Sequence, residues 1–544
     1  MRFFFNALSI RNKSFAVEWK LLAFMILFMD VKLAVKVAAI ILAFIFQLRF
    51  NFGFRLKESR LPLFYIAAPV IIILNWLLLG DFSISHNLVI VTGIGFWILC
   101  LLAVQQVKLF VEQTDIQALH NTLLLFFAIN IVMSMFNLSA ILLEIGLRNP
   151  FRYQGQFQKY FINTGDHIKG ITFDSSTTNA LINSFGIFYF LFRKQYAWVI
   201  ACMICLIITA SNFTNAILLL LFLFIFFFNS DRNQKSIMTI CTCMLIVFLA
   251  KFSPQNDNYI SQTIKNAFSK KGKPTVAPLK DIPIREKPDS ILSPEERKEK
   301  FATLYLDSLE RSRLNKTVKV NTPAVTTAIP SARPEIPGDS IHTPTFQSRK
   351  DTTAFQREII SYINAHAEQP LMANRNEEQL PGKIIALKQS FLFMKEHPFK
   401  LISGDGAGNF SSKLAFRATG LGISGGYPQR FIYSSPDFSN NHFKLYADYF
   451  TRTLGSHSII NSPASVYDQL FTEYGLIGLG AFVLGYAWFF YKRIDRKGYA
   501  LPIMLLLLAA FTVEYWFEQL SIVLLFELMM FIYVKEKNTS AAHE

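Results

Sequence analysis

Between Ala216 and Phe228 the chain reads Ala-Ile-Leu-Leu-Leu-Leu-Phe-Leu-Phe-Ile-Phe-Phe-Phe, with no polar group outside its backbone. In hydrocarbon only a helix satisfies such a backbone within one segment. Apolar runs of about 17 to 25 residues, the length that crosses a bilayer core, recur along the whole chain. They are expected at 15–31, 33–50, 61–80, 88–107, 119–146, 177–193, 196–212, 214–229, 236–252, 466–490, 500–515 and 517–535. With 52% hydrophobic residues, 55 Phe and only 17% charged residues, one soluble core could not hide this surface. The expected fold class is therefore an all-α integral membrane protein of about twelve transmembrane helices. The first run is the weakest, because Glu18 and Lys20 sit inside it and Asp30 and Lys32 crowd its end. Lying along the interface is its alternative. No small-residue cleavage pattern follows Phe28, so no cleavable signal peptide is expected.

Lys and Arg in short loops set orientation. Arg2, Arg11 and Lys13, the 47–60 connection with Arg49, Arg55, Lys57 and Arg60, the Arg193-Lys194 pair, Asp231 to Lys235, Tyr491 to Lys497 and Lys535 to Lys537 all fall on one side, while the Gly80–Ser85 turn carries no base. Both termini are thus expected in the cytoplasm. The organisation read from this is 1–147, N-terminal transmembrane helices; 148–176, a basic extracytoplasmic loop; 177–252, transmembrane helices; 253–465, a large extracytoplasmic loop; and 466–544, C-terminal helices and a cytoplasmic tail. The 148–176 loop carries Arg148, Arg152, Lys159 and Lys169 against the general bias. Solvated charge and a pocket for an anionic group are equal readings of it. The net charge of +16 is spread over membrane loops with no nucleic-acid motif, so nucleic acid is not an expected partner.

The large loop has two characters. Residues 253–350 hold 11 of the 21 prolines among Lys, Ser, Thr and Glu, without sustained apolar periodicity, and are expected to be largely disordered, with one helix near 294–314. Residues 376–465 are expected to be ordered and partly helical. Pro381 to Pro398 places Ile384, Leu387, Phe391 and Met394 on one face of an amphipathic helix that must meet protein or the membrane surface. Then comes Gly404-Asp-Gly406-Ala-Gly408-Asn-Phe410, whose alternating glycines permit positive φ and close approach to amide groups, or simply a tight turn. Arg417, Arg430, His442, Arg452 and His457 follow among aromatic and hydroxyl residues.

No metal signature is visible among the nine scattered His, and no cofactor is expected. Cys100, Cys202, Cys205, Cys241 and Cys243 all fall in apolar spans, which excludes external disulfides and makes the Cys202-x-x-Cys205 pair inert packing. Glu144, Glu473, Glu514 and Glu518 stand in or at the edges of spans, where carboxylates are costly and mark function. Glu473 is the first choice, one turn inside the span that follows the large loop, with an interface-reaching helix-end carboxylate as its alternative.

The order of these pieces resembles the bacterial O-antigen ligase and Wzy-type polysaccharide polymerase superfamily. The resemblance runs from about Arg148 to Tyr491, apart from the proline-rich excursion. It is carried by Gly170-Ile-Thr-Phe-Asp-Ser-Ser-Thr-Thr-Asn-Ala180, Thr209-Ala-Ser-Asn212, Gly382-Lys383, His397-Pro398, the glycine run, and Tyr467-Asp-Gln-Leu-Phe-Thr-Glu473-Tyr-Gly475-Leu-Ile-Gly478-Leu479. It implies a GT-C-like membrane enzyme, a metal-independent inverting glycosyltransferase. Such an enzyme polymerises or transfers glycan units from a polyprenyl-diphosphate donor on the outer face of the bacterial cytoplasmic membrane, in O-antigen or exopolysaccharide biosynthesis.

Breaking the bond to diphosphate builds negative charge on the leaving group, which outward Arg and Lys can stabilise. The available cations are Arg148, Arg152, Lys169, Lys383, Arg417, Arg430 and Arg452. Hydrocarbon helices beneath them would hold the prenyl chain, and membrane lipid, a chain-length regulator and a flippase of the same pathway are implied partners. Where the family commonly carries a histidine that activates the acceptor hydroxyl, this chain has Ala464, followed by Ser465. His457 and Glu473 are then the candidate bases, unless the good leaving group needs none. Lys383 and Asn212 stand where the family often has Arg, and Lys lacks the bidentate fork. Without the histidine the reading leans to a polymerase over an O-antigen ligase. A lipid-linked glycan transporter or flippase is the rival, though no half-to-half repeat is visible, and a non-catalytic assembly protein is a third reading.

Overall fold

The computed structural model describes residues 15–146, 149–152, 164–252, 381–419, 433–449, 459, 461–495 and 497–541. The proline-rich 253–350 stretch and the helix expected near 294–314 lie outside these. Among the described residues every regular element is helical and there is no strand. Ile84–Gln113, Ile116–Ile145 and Arg232–Phe252 are long and apolar enough to cross a membrane. Shorter apolar helices are Trp19–Met29, Leu33–Phe46, Phe64–Leu79, Tyr196–Ile208, Asn212–Phe228, Gly475–Tyr491 and Ala500–Ala510. With Ser176–Phe192 and Ser521–Ala541 they fall on the spans expected from hydropathy.

Caps explain many of the starts. Asp231 and Gln234 form a reciprocal capping box, and Ser83, Ser175, Ser412 and Ser465 each accept a first-turn N–H with their side chains. Gly80 and Gly146 end their helices at φ 69° and 68°, the left-handed cap that glycine adopts without strain.

Two polar layers define two ends of the bundle. At the lower end, Arg60 pairs with Glu112 at 2.7 Å, Lys194 with Asp231 at 3.0 Å and Lys537 with Asp495 at 2.7 Å. Arg193 and His120 meet on Glu536 there, and Lys535 donates to the Val111 carbonyl at the end of Ile84–Gln113. At the upper end, Asn75 donates to the Ser403 carbonyl, the Gly170 N–H to Asn137, the Val466 N–H to the Phe511 carbonyl, and Asn149 to the Phe252 carbonyl. Successive apolar helices run alternately between these ends. The outward faces carry Ile45, Leu77, Val132, Phe136, Phe227 and Leu484, more apolar surface than a water-exposed bundle sustains. The protein is membrane-associated in this coarse sense.

Ser521–Ala541 forms the axis, buried from Ser521 to Ile532, with Ser176–Phe192 beside it. Neither can reach lipid along most of its length. The first helix was open to an interfacial placement on sequence, but it packs inward through Leu21, Leu22, Phe24, Met25, Phe28 and Met29.

One expected continuous span is broken at the upper end, and the connection between two others is longer than expected. The 466–490 span splits into Val466–Glu473 and Gly475–Tyr491, with Gly475 at φ 65°. The 500–515 and 517–535 spans are parted by a largely buried stretch from Phe511 to Leu520 that holds only the short helix Trp516–Gln519, and Leu520 there holds φ 70°. Non-helical backbone at depth is tolerated where protein encloses it, and such breaks gather polar groups.

Candidate functional site

The glycine run fills the break at Tyr474–Gly475. Gly404, Gly406 and Gly408 hold φ of 92°, 91° and 79°, so each glycine supplies a left-handed step that other residues take only with strain. The Asp405 and Gly406 N–H groups donate to the carbonyls of Thr472 and Glu473, satisfying the frayed end of Val466–Glu473. The Glu473 carboxylate then reaches back and accepts the N–H of Gly408 at 3.0 Å and of Phe410 at 3.2 Å. The amides that sequence offered to a ligand are thus held by the chain's own carboxylate, and Glu473 is 1% exposed.

Above this clamp, three loops bring charge together. Lys413 and Arg417 lie on the short Lys413–Ala418 helix, Asp174 and Lys169 on the turn before Ser176–Phe192, and Glu514, Glu518 and Gln519 in the Phe511–Leu520 connection. Gln519, with its amide oriented so that both ends are satisfied, donates to Asp174 Oδ2 at 3.2 Å and accepts from Lys413 Nζ at 3.1 Å. Glu518 accepts from Gln469 at 2.5 Å and faces Lys413 and Arg417. Asp174 also accepts from Thr178 at 2.8 Å.

Arg417 and Lys169 make no side-chain hydrogen bond among the described residues. Burial lowers the pKa of Lys413, with the neighbouring Arg417 adding to the shift and Glu514, Asp174 and Glu518 opposing it. Burial likewise lowers that of Lys169 against Asp174 and Asp166. Asp166 is pushed up to about 6 by its own burial. The loop is held from below by Asn130 and Asn179, through the Ile171 N–H at 3.2 Å and the Ile168 carbonyl at 2.9 Å.

A second polar network adjoins this one. His442 Nε2 lies 2.9 Å from Asp468 Oδ2, which also accepts from Ser411 Oγ at 2.7 Å; Ser411 in turn meets Tyr515, and Tyr515 meets Tyr446. With Nε2 donating, His442 Nδ1 carries the lone pair, and it has no partner among the described residues. Ala464 packs with Tyr446 and Tyr515 in the same cluster. Nearby, Lys400 bridges Asp405 at 2.7 Å and Asp437 at 2.6 Å.

Beside the 164–172 turn, an open groove of about 720 Å³ runs between helices Ile116–Ile145, Tyr196–Ile208 and Arg232–Phe252. Leu142, Phe151, Ile207, Met244, Val247 and Phe252 line it, with Asn149 and Thr239 among its few polar groups.

Of the residues singled out from sequence, Lys169, Arg417 and Glu473 gather in one region, and the three glycines underlie it. Lys383 does not offer its ammonium outward. It donates to the carbonyls of Ala464 at 2.5 Å and Val513 at 3.3 Å, and burial brings its pKa down to about 8 against Glu514 and Asp468. Arg148, Arg430, Arg452 and His457 lie outside the described residues, and so does the side chain of Arg152.

Sequence reasoning gave no role to Lys413, Asp174, Gln519, Asp468 or Lys400. Glu514, Glu518 and His442 were named there without being placed. Glu514 and Glu518 carried a sequence signal in the cost of a carboxylate within a span, and Asp174 and Asp468 stood inside the quoted motifs without being singled out. Comparison of the chain with protein-family models, with curated proteins and with solved structures found no match.

Proposed function

We propose that the protein is a membrane glycosyltransferase that moves glycan from a polyprenyl-diphosphate carrier onto an acceptor hydroxyl at the upper end, taken as the extracytoplasmic face. One observation carries the reading: Lys169, Lys413 and Arg417, from loops distant in sequence, converge with Asp174 and Glu518 directly above the broken helix. Cations there stabilise the diphosphate as the anomeric bond breaks, and need no metal to do so. The half-buried setting strengthens that stabilisation relative to water. The apolar groove beside the 164–172 turn suits the hydrocarbon tail of such a donor. The resemblance of the sequence motifs to O-antigen ligases and polymerases points to the same chemistry, and the polymerase reading is preferred on the strength of Ala464.

For the acceptor side the base candidate is His442, which, like His86 at the same end, is fully enclosed with one ring nitrogen unpartnered among the described residues, so an acceptor hydroxyl reaches it only if the site opens. Asp468 fixes its tautomer, and Nδ1 is left as the proton acceptor. Glu473, by contrast, holds the glycine loop. The two-carboxylate-and-cation arrangement also admits a transporter of the same lipid.

The test is a reconstitution. Protein in liposomes, given a polyprenyl-diphosphate oligosaccharide in the presence of EDTA, should release the carrier diphosphate and lengthen the glycan. Recovery of the donor intact but in the opposite leaflet would replace the enzyme reading with transport.

A further inference from the structure

We infer that the Gly382–Ser403 segment is a membrane-surface element, seated with its apolar stripe in the outer leaflet and its lysines on anionic headgroups. The inference depends on the bundle lying in a bilayer, not on the chemistry proposed above. In the Gly382–Glu396 helix, Gly382, Ala386, Ser390, Phe393 and Met394 are buried against the protein. Sequence periodicity placed Met394 with the apolar stripe; the structure puts it on the inner side instead. On the opposite side Ile384, Leu387 and Phe391 are 49%, 60% and 61% exposed, and after the Pro398 corner Phe399 and Ile402 are 62% and 55% exposed. A stripe so apolar is not stable in water.

At 100° per residue, Lys388 and Lys395 flank this stripe on one edge, and both are exposed. Oily residues edged by lysines that reach sideways are the pattern of an interfacial helix, whose ammonium groups meet lipid phosphates. The stripe is also continuous with the lipid-facing belt. Gly475 packs so closely on Ile402 that a Cβ there would lie 2.5 Å from the Ile402 carbonyl oxygen, and the exposed Leu476 and Ile477 follow at once. On the other flank Asn75 holds the Ser403 carbonyl, one turn from the exposed Leu78. Lys400 then links this segment to Asp405 in the glycine loop, so its seat on the lipid fixes the height of the loop.

The experiment is spin-label accessibility on the full chain in vesicles of phosphatidylethanolamine and phosphatidylglycerol. Labels at Leu387→Cys, Phe391→Cys, Phe399→Cys and Ile402→Cys should be more accessible to oxygen than to a water-soluble nickel chelate, as at the belt position Leu484→Cys. Glu396→Cys should show the reverse. Exchange of the anionic lipid for phosphatidylcholine, or the pair Lys388→Gln and Lys395→Gln, should make the stripe labels shallower. Stripe labels open to the nickel chelate would show a water-facing surface, and labels shielded from both reagents would show a protein cover; either overturns the inference. A depth that ignores both the lipid charge and the lysine pair overturns the headgroup contact. Four label positions ensure that one perturbing substitution does not decide the result.

Discussion

The carboxylate of Glu473 accepts the N–H of Gly408 at 3.0 Å across a break in its own helix, and the N–H of Phe410 beside it. Helix end and glycine loop therefore stabilise each other. Glu473→Ala orphans two buried donors, at a cost of about 1–3 kcal/mol for each. It should lower the thermal midpoint in detergent markedly. Gly408→Ala should do likewise, since a Cβ at φ 79° would lie 2.5 Å from Val89 Cγ1. A Glu473→Ala protein as stable as wild type, yet inactive, would return Glu473 to the role of base.

The Lys400 bridge makes stability depend on pH. Burial, then repulsion from Asp437, push the Asp405 carboxyl up to about 8 against the pull of Lys400. An unfolded aspartate titrates near ~3.9, so the folded chain holds the extra proton between these values. This contribution is whole below about pH 4, shrinks as pH rises through about 8, and is then lost. The pKa of Lys400 moves the other way from what burial alone would do, because its two carboxylate partners raise it, so its share persists until strongly alkaline pH. Thermal midpoints measured from acid to mildly alkaline pH should fall across that window, and Asp405→Asn should flatten the slope.

Arg417 and Lys169 face the site without hydrogen-bond partners among the described residues, whereas Lys383 is engaged by two carbonyls. The two kinds of cation should separate by assay. Arg417→Gln and Lys169→Gln should cut turnover by on the order of 10²–10³, the usual loss for one transition-state donor, with little change in melting. Lys383→Met should instead destabilise, because the Ala464 and Val513 carbonyls lose their donor.

The polar layers at the two ends predict labelling. In intact cells a membrane-impermeant thiol reagent should reach Asp81→Cys and Glu396→Cys, which belong to the upper end. Lys194→Cys and Lys537→Cys, at the lower end, should react only after permeabilisation. Reaction of Asp81→Cys and Lys194→Cys from the same side would break the sidedness on which the site depends.

Hydropathy located the helices because burial in hydrocarbon demands long apolar runs, and the Ile84–Gln113 and Ile116–Ile145 pair shows this with least ambiguity. It read through the break at Tyr474–Gly475, and between Phe511 and Leu520 it placed the boundary but not the length of the connection, since apolar residues look the same whether helical or packed irregularly within protein. The glycine loop was legible as a backbone device, but its partner was not; Glu473 lies far along the chain and meets it only through folding. Lys413 and Gln519 left no pattern in sequence for the same reason, being assembled across three loops. Lys383 was misleading, because a lysine that caps buried carbonyls and one that faces a ligand look alike in a string of letters.

The most direct measurement is carrier release in a single turnover, with protein in excess of a radiolabelled polyprenyl-diphosphate oligosaccharide, a saturating unlabelled oligosaccharide of the same repeat unit as acceptor, and no divalent ion. The account predicts release by the wild-type protein and at least ~10²-fold slower release by the Lys413→Gln, Arg417→Gln double variant, with the variant still folded and monodisperse. Equal rates in the two proteins, or no release by either, would contradict it.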